Sequence, residues 1–197
     1  AYAIPFPPLG ERFDRLEEQL DILTGLWKTP VGDTFDYTGT HYSVTDSPAL
    51  PKPHQRPGPP IIIGGKGKKR TPELAARFAD EFNVPFSPLD TISTQFDRVK
   101  EAVAAAGRAP ESMTYSACFV VCAGRDDAEV ARRAAAIGRE VDELHTNTPL
   151  VGTPAQIVDK LTPFLDAGVQ RVYLQVLDMS DLDHLELFAE GVVRQLT

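Results

Sequence analysis

Residues 61–72 read IIIGGKGKKRTP. The three isoleucines form a short, wholly apolar run, which is typical of a strand buried on both faces of a parallel sheet. Glycines and four cations follow, and Thr71-Pro72 indicates a helix start with a hydroxyl N-cap and proline at the first helical position. The stretch therefore predicts a strand, a glycine-rich loop and a helix in succession.

The same alternation continues towards the C-terminus. Further helix starts are predicted at Ser87-Pro88, at Asp126 with Glu129, and at Thr153-Pro154, where Gln156 completes a capping box. Strand-like runs lie between them at about 80–84, 114–122 and 170–176. Alternating strands and helices predict an α/β protein with a parallel sheet. Four strands could form a small open sheet or the second half of a (β/α)8 TIM barrel, which needs eight strands and about 250 residues.

The first 60 residues have a different organisation. Apolar residues at positions 13, 16, 20, 23 and 27 predict an amphipathic helix from about 9 to 27. Residues 29–60 form a proline-rich excursion, with a small hairpin predicted from 34–37 and 41–44. We predict a single domain over residues 1–197, made of a helix in 1–28, the excursion 29–60 and the β/α units of 61–197.

Composition limits the partners. The chain has 197 residues and a net charge of −8, which argues against binding nucleic acid or an anionic membrane over its whole surface. It shows no apolar run of membrane-spanning length and no signal-peptide pattern, so a cytoplasmic protein is expected. Cys118 and Cys122 are expected to be buried free thiols, because on one strand they would lie about 13 Å apart. The helix around 125–138 alternates Arg with Glu, which is typical of a solvated face.

The glycine-rich loop has the chemistry of an anion site. Glycines let backbone N–H groups approach a phosphate, and a helix N-terminus adds partial positive charge. The residues expected to bind a cofactor phosphate are Gly64, Gly65, Lys66, Gly67, Lys68 and Thr71. The spacing fits neither a P-loop nor the Rossmann fingerprint. A flexible basic turn and a nucleic-acid contact remain as alternative interpretations.

Other side chains are predicted at the same end of the sheet, because loops that leave the C-terminal ends of parallel strands converge there. The candidates for a substrate pocket are Tyr2, Phe6, Asn83, Phe86 and His184, with Asp178 beside them. No catalytic acid or base is assigned. No metal site is expected, since His41, His54 and Asp46 fall at the opposite end and show no ligand spacing.

Three stretches carry a resemblance to a known family. They read AYAIPFPPLGERFDRLEEQL from residue 1, PALPKPHQRPGPPIIIGG from residue 48 and GTPAQIVDKL from residue 152. These motifs resemble the luciferase-like monooxygenase superfamily, and within it the actinobacterial branch of coenzyme F420-dependent oxidoreductases. The resemblance covers essentially the whole chain.

The resemblance implies a (β/α)8 barrel of which this chain holds about the last four units, beginning after the fourth strand. It implies that the cofactor phosphate lies near the loop after the fifth strand, which corresponds to residues 64–71 here. It also implies that residues contacting the cofactor ring come mostly from the first four strands. Catalysis by this chain alone is therefore in question.

The leading hypothesis is an oxidoreductase that moves a hydride between reduced coenzyme F420 and a small organic substrate, with FMN as the alternative cofactor. The alternative function is a non-catalytic half-barrel module for cofactor binding or assembly. Because a four-stranded parallel sheet leaves two unpaired edges, a homo-oligomer, such as a dimer, is expected.

Overall fold

The computed structural model describes residues 5–196. They divide into two units, one ending at Ile61 and the other beginning at Ile62. The first unit contains helix α1 (Leu9–Lys28) and an antiparallel hairpin of strands β1 (Phe35–Thr38) and β2 (Ser43–Ser47). Both the amphipathic helix and the hairpin are thereby confirmed, with the second strand extending three residues beyond the prediction.

A carboxylate holds the turn of this hairpin. Glu18 of α1 accepts hydrogen bonds from the backbone N–H groups of Thr40, His41 and Tyr42, at 2.8, 3.0 and 2.9 Å. The turn therefore takes its hydrogen-bond partner from the helix.

The second unit alternates strands and helices. In chain order its elements are β3 (Ile62–Gly64), α2 (Arg70–Phe78), β4 (Glu81–Pro85), α3 (Leu89–Ala105), a 3₁₀ turn (Pro110–Ser112), β5 (Thr114–Val120), β6 (Cys122–Ala123), α4 (Asp127–Ala136), α5 (Val141–Asn147), β7 (Val151–Gly152), α6 (Pro154–Asp166), β8 (Arg171–Gln175), α7 (Leu182–Phe188), a π-helical turn (Ala189–Val193) and α8 (Arg194–Leu196).

Four of these strands form one parallel sheet in the order β3-β4-β5-β8. The α/β fold with a parallel sheet is confirmed, and each of its four strands overlaps a predicted run. The third run is divided, because β5 ends at Val120 and the next two-residue strand pairs with β7 instead. Helix α5 and strand β7 have no counterpart in the predicted elements.

The helices cover one face of the sheet. Phe82, Val84, Ala117 and Phe119 alternate along β4 and β5 and are fully buried in the core with side chains of α3 and α6. The prediction that the isoleucine run is buried on both faces is wrong: Ile62 is 50% exposed. It lies on β3, which pairs only with β4 within the part of the chain that the structure describes.

Two helix starts match the prediction and two do not. Thr153 caps α6 with a full capping box, and Asp126 accepts the N–H of Glu129 at 2.8 Å. Thr71 is not an N-cap: α2 begins at Arg70, and Thr71 is buried in its first turn. Ser87 precedes the N-cap Pro88 of α3, and its hydroxyl donates to the carbonyl of Pro85 at 2.8 Å. Neither hydroxyl group therefore caps a helix.

Both cysteines are free. Cys118 is half-buried on β5 and Cys122 is fully buried on β6, so they do not share one strand as predicted. Burial raises the pKa of both thiols. No helix between residues 5 and 196 is long and apolar enough to cross a membrane.

Candidate functional site

Two glycines allow the loop between β3 and α2 to lie against the neighbouring strand, β4. The N–H of Gly65 donates to the carbonyl of Asn83 at 3.1 Å, and Gly65 has a φ of +133°, which side chains rarely tolerate. A Cβ on Gly64 would lie 2.9 Å from the same carbonyl oxygen. Glycine is therefore required at both positions, because the chain passes from β3 into the loop close to the backbone of β4.

The middle of the loop is held by α2 and α3. A Cβ on Gly67 would collide with the hydroxyl of Thr71 and lie 3.1 Å from its Cβ. On the other side, the buried Gln95 donates its side-chain N–H to the carbonyl of Gly67 at 2.6 Å. Arg98 in turn donates to the Oε1 atom of Gln95 at 2.9 Å, which fixes the amide orientation. The loop path is set by these contacts.

The fixed loop leaves four donors unused. Among residues 5–196, the N–H groups of Lys66, Gly67, Lys68 and Lys69 have no hydrogen-bond acceptor, and the three ammonium groups form no ion pair. They lie immediately before α2, whose N-terminus carries partial positive charge. Unpaired N–H groups, a helix N-terminus and lysines are groups that could together hold an anion such as a phosphate group.

Two depressions flank this loop. A polar one of about 210 Å³ is lined by Lys66, Asp90, Thr91, Thr94, Gln95 and Arg98. A larger open groove of about 800 Å³ runs between α2 and α3, and its charged lining residues are Lys68, Lys69, Arg77, Arg98, Arg108, Glu73 and Glu101. Cations outnumber carboxylates in both, so positive charge is concentrated around the loop of a chain whose net charge is −8.

One residue of the groove has a structural function. The guanidinium of Arg108 donates to the carbonyls of Ala76 and Ala79 at 2.9 Å each, at the C-terminal end of α2. Because these carbonyls have no partner within the helix, Arg108 replaces a C-cap there.

The sheet face opposite the helices is polar. Register places Asn83, Ser116 and Arg171 side by side on β4, β5 and β8. The amide of Asn83 donates to the hydroxyl of Ser116 at 2.9 Å, and Arg171 forms an ion pair with Glu81. The second carboxylate oxygen of Glu81 is buried without a hydrogen-bond partner among the described residues. In a closed barrel this face is the interior.

Phe86 continues the β4–β5 pairing one residue beyond the strand. Its N–H donates to the carbonyl of Cys118 at 2.9 Å, and its φ is +45°. Positive φ is uncommon for a bulky residue and costs conformational free energy. The side chain remains 48% exposed.

His184 lies in a buried network at the start of α7. Its Nε2 atom accepts the N–H of Ala123 at 2.9 Å, and burial lowers the pKa of its imidazole, with the nearby Arg133 cation as a further cause. Arg133 of α4 is 4% exposed and donates to the carbonyl of Ala123 at 2.9 Å and to Asp181 and Asp183 at 2.8 Å each. The prediction that this helix presents a solvated Arg/Glu face is wrong at Arg133.

The exposed end of the network is also paired. Arg125 donates to Asp183 at 2.5 Å and to Glu129 at 2.8 Å. Its hydrogen bond, assisted by the Arg133 cation, holds the pKa of Asp183 down to about 2. The network therefore connects α4 with the start of α7 by five charged side chains and a histidine.

The structure brings the predicted cofactor residues close to Asn83. The cofactor residues occupy the end of β3, the loop after it and the first turn of α2, and Asn83 lies on the adjacent strand β4. Phe86 lies beside a separate cleft, and His184 is enclosed in the network. Phe6 belongs to the first unit, where its ring is 81% exposed and the Arg12 guanidinium carbon lies 4.3 Å from the ring centroid. Tyr2 lies outside the described residues.

Sequence reasoning missed Gln95 and Arg133. Gln95 holds Gly67 across 28 positions, and Arg133 holds Asp181 across 48. No local motif marks either pair. Within residues 5–196, no group of three or more His, Cys, Asp and Glu side chains is arranged to hold a metal ion.

The chain matches a known protein family. The chain belongs to the luciferase-like monooxygenase family, whose model matches residues 3–145. The FMNH2-dependent dimethylsulfone monooxygenase of Pseudomonas putida is 27% identical over 96% of this chain and 60% of its own length. The F420-dependent glucose-6-phosphate dehydrogenase of Microbacterium testaceum is 38% identical over 40% of this chain and 22% of its own length.

Solved structures show the same fold. An F420-dependent secondary alcohol dehydrogenase, solved with an F420-acetone adduct, superposes with a TM-score of 0.81 at 15% identity. The match covers 98% of this chain and 64% of that enzyme. EDTA monooxygenase from Chelativorans sp. BNC1 superposes with a TM-score of 0.75 at 20% identity, covering 99% of this chain and 61% of that enzyme. The chain thus spans about three fifths of the length of these enzymes and has the fold of a partial luciferase-like barrel.

Proposed function

We propose that this chain is the cofactor-phosphate-binding part of a flavin- or deazaflavin-dependent oxidoreductase, with coenzyme F420 as the cofactor and FMN as the alternative. One observation carries the proposal: a loop fixed by three glycines leaves four N–H groups and three lysines without partners next to a helix N-terminus. Relatives named for FMNH2 and for F420 support a cofactor of this type. Both cofactors present a phosphate group to such a loop.

The residues present fit a phosphate. Side chains at positions 64 and 67 would fill the space that the loop needs, and the donors of residues 66–69 stay available to an anion. When bound, such a cofactor supplies hydride or oxygen chemistry at its ring. The chain contributes N–H donors from the loop, charge from Lys66 and Lys68, and loop rigidity from Gln95.

The protein of which this site is part would act on a small organic substrate. The polar face with Asn83 and Ser116 lies on the sheet that carries the loop, and we propose it as part of the reaction chamber. Its Asn83–Ser116 hydrogen bond would hold the amide in one orientation.

Equilibrium titration with F420 and with FMN tests the proposal. Saturable binding that competes with inorganic phosphate is expected, and Lys68→Gln should weaken it about tenfold, because a charge-assisted hydrogen bond contributes about 1.5–3 kcal/mol. Lys100→Gln is the matched control, because it removes an exposed lysine whose ammonium lies 3.5 Å from Asp97 and 5.7 Å from the centroid of the Tyr115 ring. Absence of binding, or equal affinity in both variants, contradicts the assignment.

Turnover separates the two functional hypotheses. Binding of reduced F420 and its oxidation in the presence of substrate supports an enzyme. Binding without turnover supports the non-catalytic module.

A further inference from the structure

A second cleft opens beside the end of β4, away from the glycine loop. Its volume is about 480 Å³, within the usual range for small-molecule sites. Three segments form it: the chain from the end of β4 into α3, the end of α5 with the two residues after it, and α6. The lining residues that matter are Phe86, Leu89, His145, Asn147, Lys160 and Phe164. We call it the Lys160 cleft.

The charge in this cleft has no counter-ion. The Lys160 ammonium donates to the carbonyl of Val151 at 2.7 Å and lies 3.2 Å from Nδ1 of His145. No carboxylate lines the cleft, and Lys160 forms no ion pair within the described part of the chain. Burial lowers the pKa of this lysine. A chain with eight excess negative charges therefore keeps a partly buried cation among neutral groups and a histidine.

Part of the lining is apolar and aromatic. Phe164 is 8% exposed and packs edge-on against Phe119 at a centroid distance of 5.3 Å. Phe86 is 48% exposed, and its N–H bond to Cys118 holds it in the unfavourable positive-φ conformation. Strained residues persist only where surrounding structure imposes them and are concentrated at ligand sites.

We propose that the Lys160 cleft binds a small organic anion with a planar apolar body, its carboxylate or equivalent group against Lys160 and His145 and its body against Phe86. The cleft is larger than an inorganic ion requires. An inorganic ion would also make no favourable contact with the apolar side chains of the lining. The site shares no residue with the glycine loop, so it is independent of cofactor binding.

Calorimetric titration with three probes tests this on the purified chain. Benzoate carries both the charge and the ring, acetate only the charge, and benzyl alcohol only the ring. Benzoate is expected to bind at least tenfold more tightly than either. Equal binding of benzyl alcohol and benzoate overturns the role of the cation, and absence of saturable benzoate binding overturns the site.

Variants separate charge from folding. Lys160→Met should weaken benzoate binding about tenfold or more, whereas Lys160→Arg keeps the charge and should retain most of it. Lys100→Met is the matched control for loss of one lysine. Phe86→Asn removes the ring, and Asn tolerates positive φ, so this variant should lose benzoate affinity without unfolding. Unchanged benzoate affinity in Lys160→Met or in Phe86→Asn contradicts the proposal.

A second readout locates the bound anion. Benzoate should shift the backbone amide NMR signals of residues 145–148, and those of residues 66–69 should stay in place. Shifts confined to residues 66–69 would place the anion at the loop and overturn the cleft. FMN titration of Lys160→Met should match wild type, because the two sites have different residues.

Discussion

The imidazole of His184 accepts the backbone N–H of Ala123 through Nε2 at 2.9 Å. This hydrogen bond exists only while Nε2 carries no proton. Groups facing the ring are Arg133 and Glu129 from α4 and Asp178 and Asp181 from the preceding segment, and the buried Cys122 thiol lies in the same small cavity. Protonation would place a second buried cation beside Arg133.

This relationship predicts acid sensitivity with a defined sign. Because the folded pKa of His184 lies below its usual 6.5, the unfolded chain takes up the proton first as the pH falls. The free energy of unfolding should therefore decrease as pH falls from about 7.5 through 6.5 and on to the folded pKa. His184→Gln keeps an acceptor and removes the titration, so its pH profile in urea unfolding should be flatter. His54→Gln, at an exposed histidine, is the control for the loss of one imidazole.

Removing the Arg133 guanidinium should be strongly destabilising. Arg133→Met removes the guanidinium partner of Asp181 and the donor to the Ala123 carbonyl, and breaking a buried ion pair costs about 3–5 kcal/mol. The neighbouring Arg132 is 60% exposed, so Arg132→Met should cost less than about 1 kcal/mol. Chemical denaturation of both variants measures the difference, and similar losses would show that the network does not stabilise the fold.

A methyl group at position 67 should damage the anion site. Gly67→Ala places a Cβ against the Thr71 hydroxyl, so the loop must move away from α2. Affinity for FMN or F420 should fall roughly tenfold, which corresponds to about 1.4 kcal/mol. Gly10→Ala is the control, since a Cβ there meets nothing within 4 Å. Unchanged cofactor affinity in Gly67→Ala would show that the path of the loop is not what binds the phosphate.

The capping box at the start of α6 gives a stability prediction. Thr153→Ala removes the side-chain acceptor for the Gln156 N–H and should lower the free energy of unfolding by about 1 kcal/mol. Thr162→Ala changes an exposed threonine whose hydroxyl bonds only the Val158 carbonyl of its own helix. Since alanine is the better helix former, that change should cost nothing. Equal midpoints for the two variants in thermal unfolding would contradict the capping role.

Local sequence was sufficient for most of the architecture. The helix at the N-terminal end is predicted to within one residue at each end, because its apolar spacing depends on the helix alone. Thr153 and Asp126 cap as predicted because their partners lie three residues away. Thr71 and Ser87 fail as caps because Thr71 packs against Gly67 and Ser87 bonds Pro85.

The site was predictable only in part, for the same physical reason. Glycine geometry and lysine charge are properties of the loop itself, so residues 64–71 could be proposed as an anion-binding loop from the sequence alone. The bond from Gln95 to Gly67 and the Lys160–His145 pair arise from packing between distant elements. No spacing rule connects such residues before the fold is known.

The π-helical turn at Ala189–Val193 makes the last helix intolerant of length changes. Gly191 lies in it, where a Cβ would come 2.7 Å from the ring of Pro154, and the next residue, Val192, is fully buried. A helix advances about 100° per residue, so deleting one residue upstream within the turn would rotate Val192 out of the core and bring a side chain towards the proline. Conservative point substitutions should be accommodated along much of this helix, but a single-codon deletion in the turn should not.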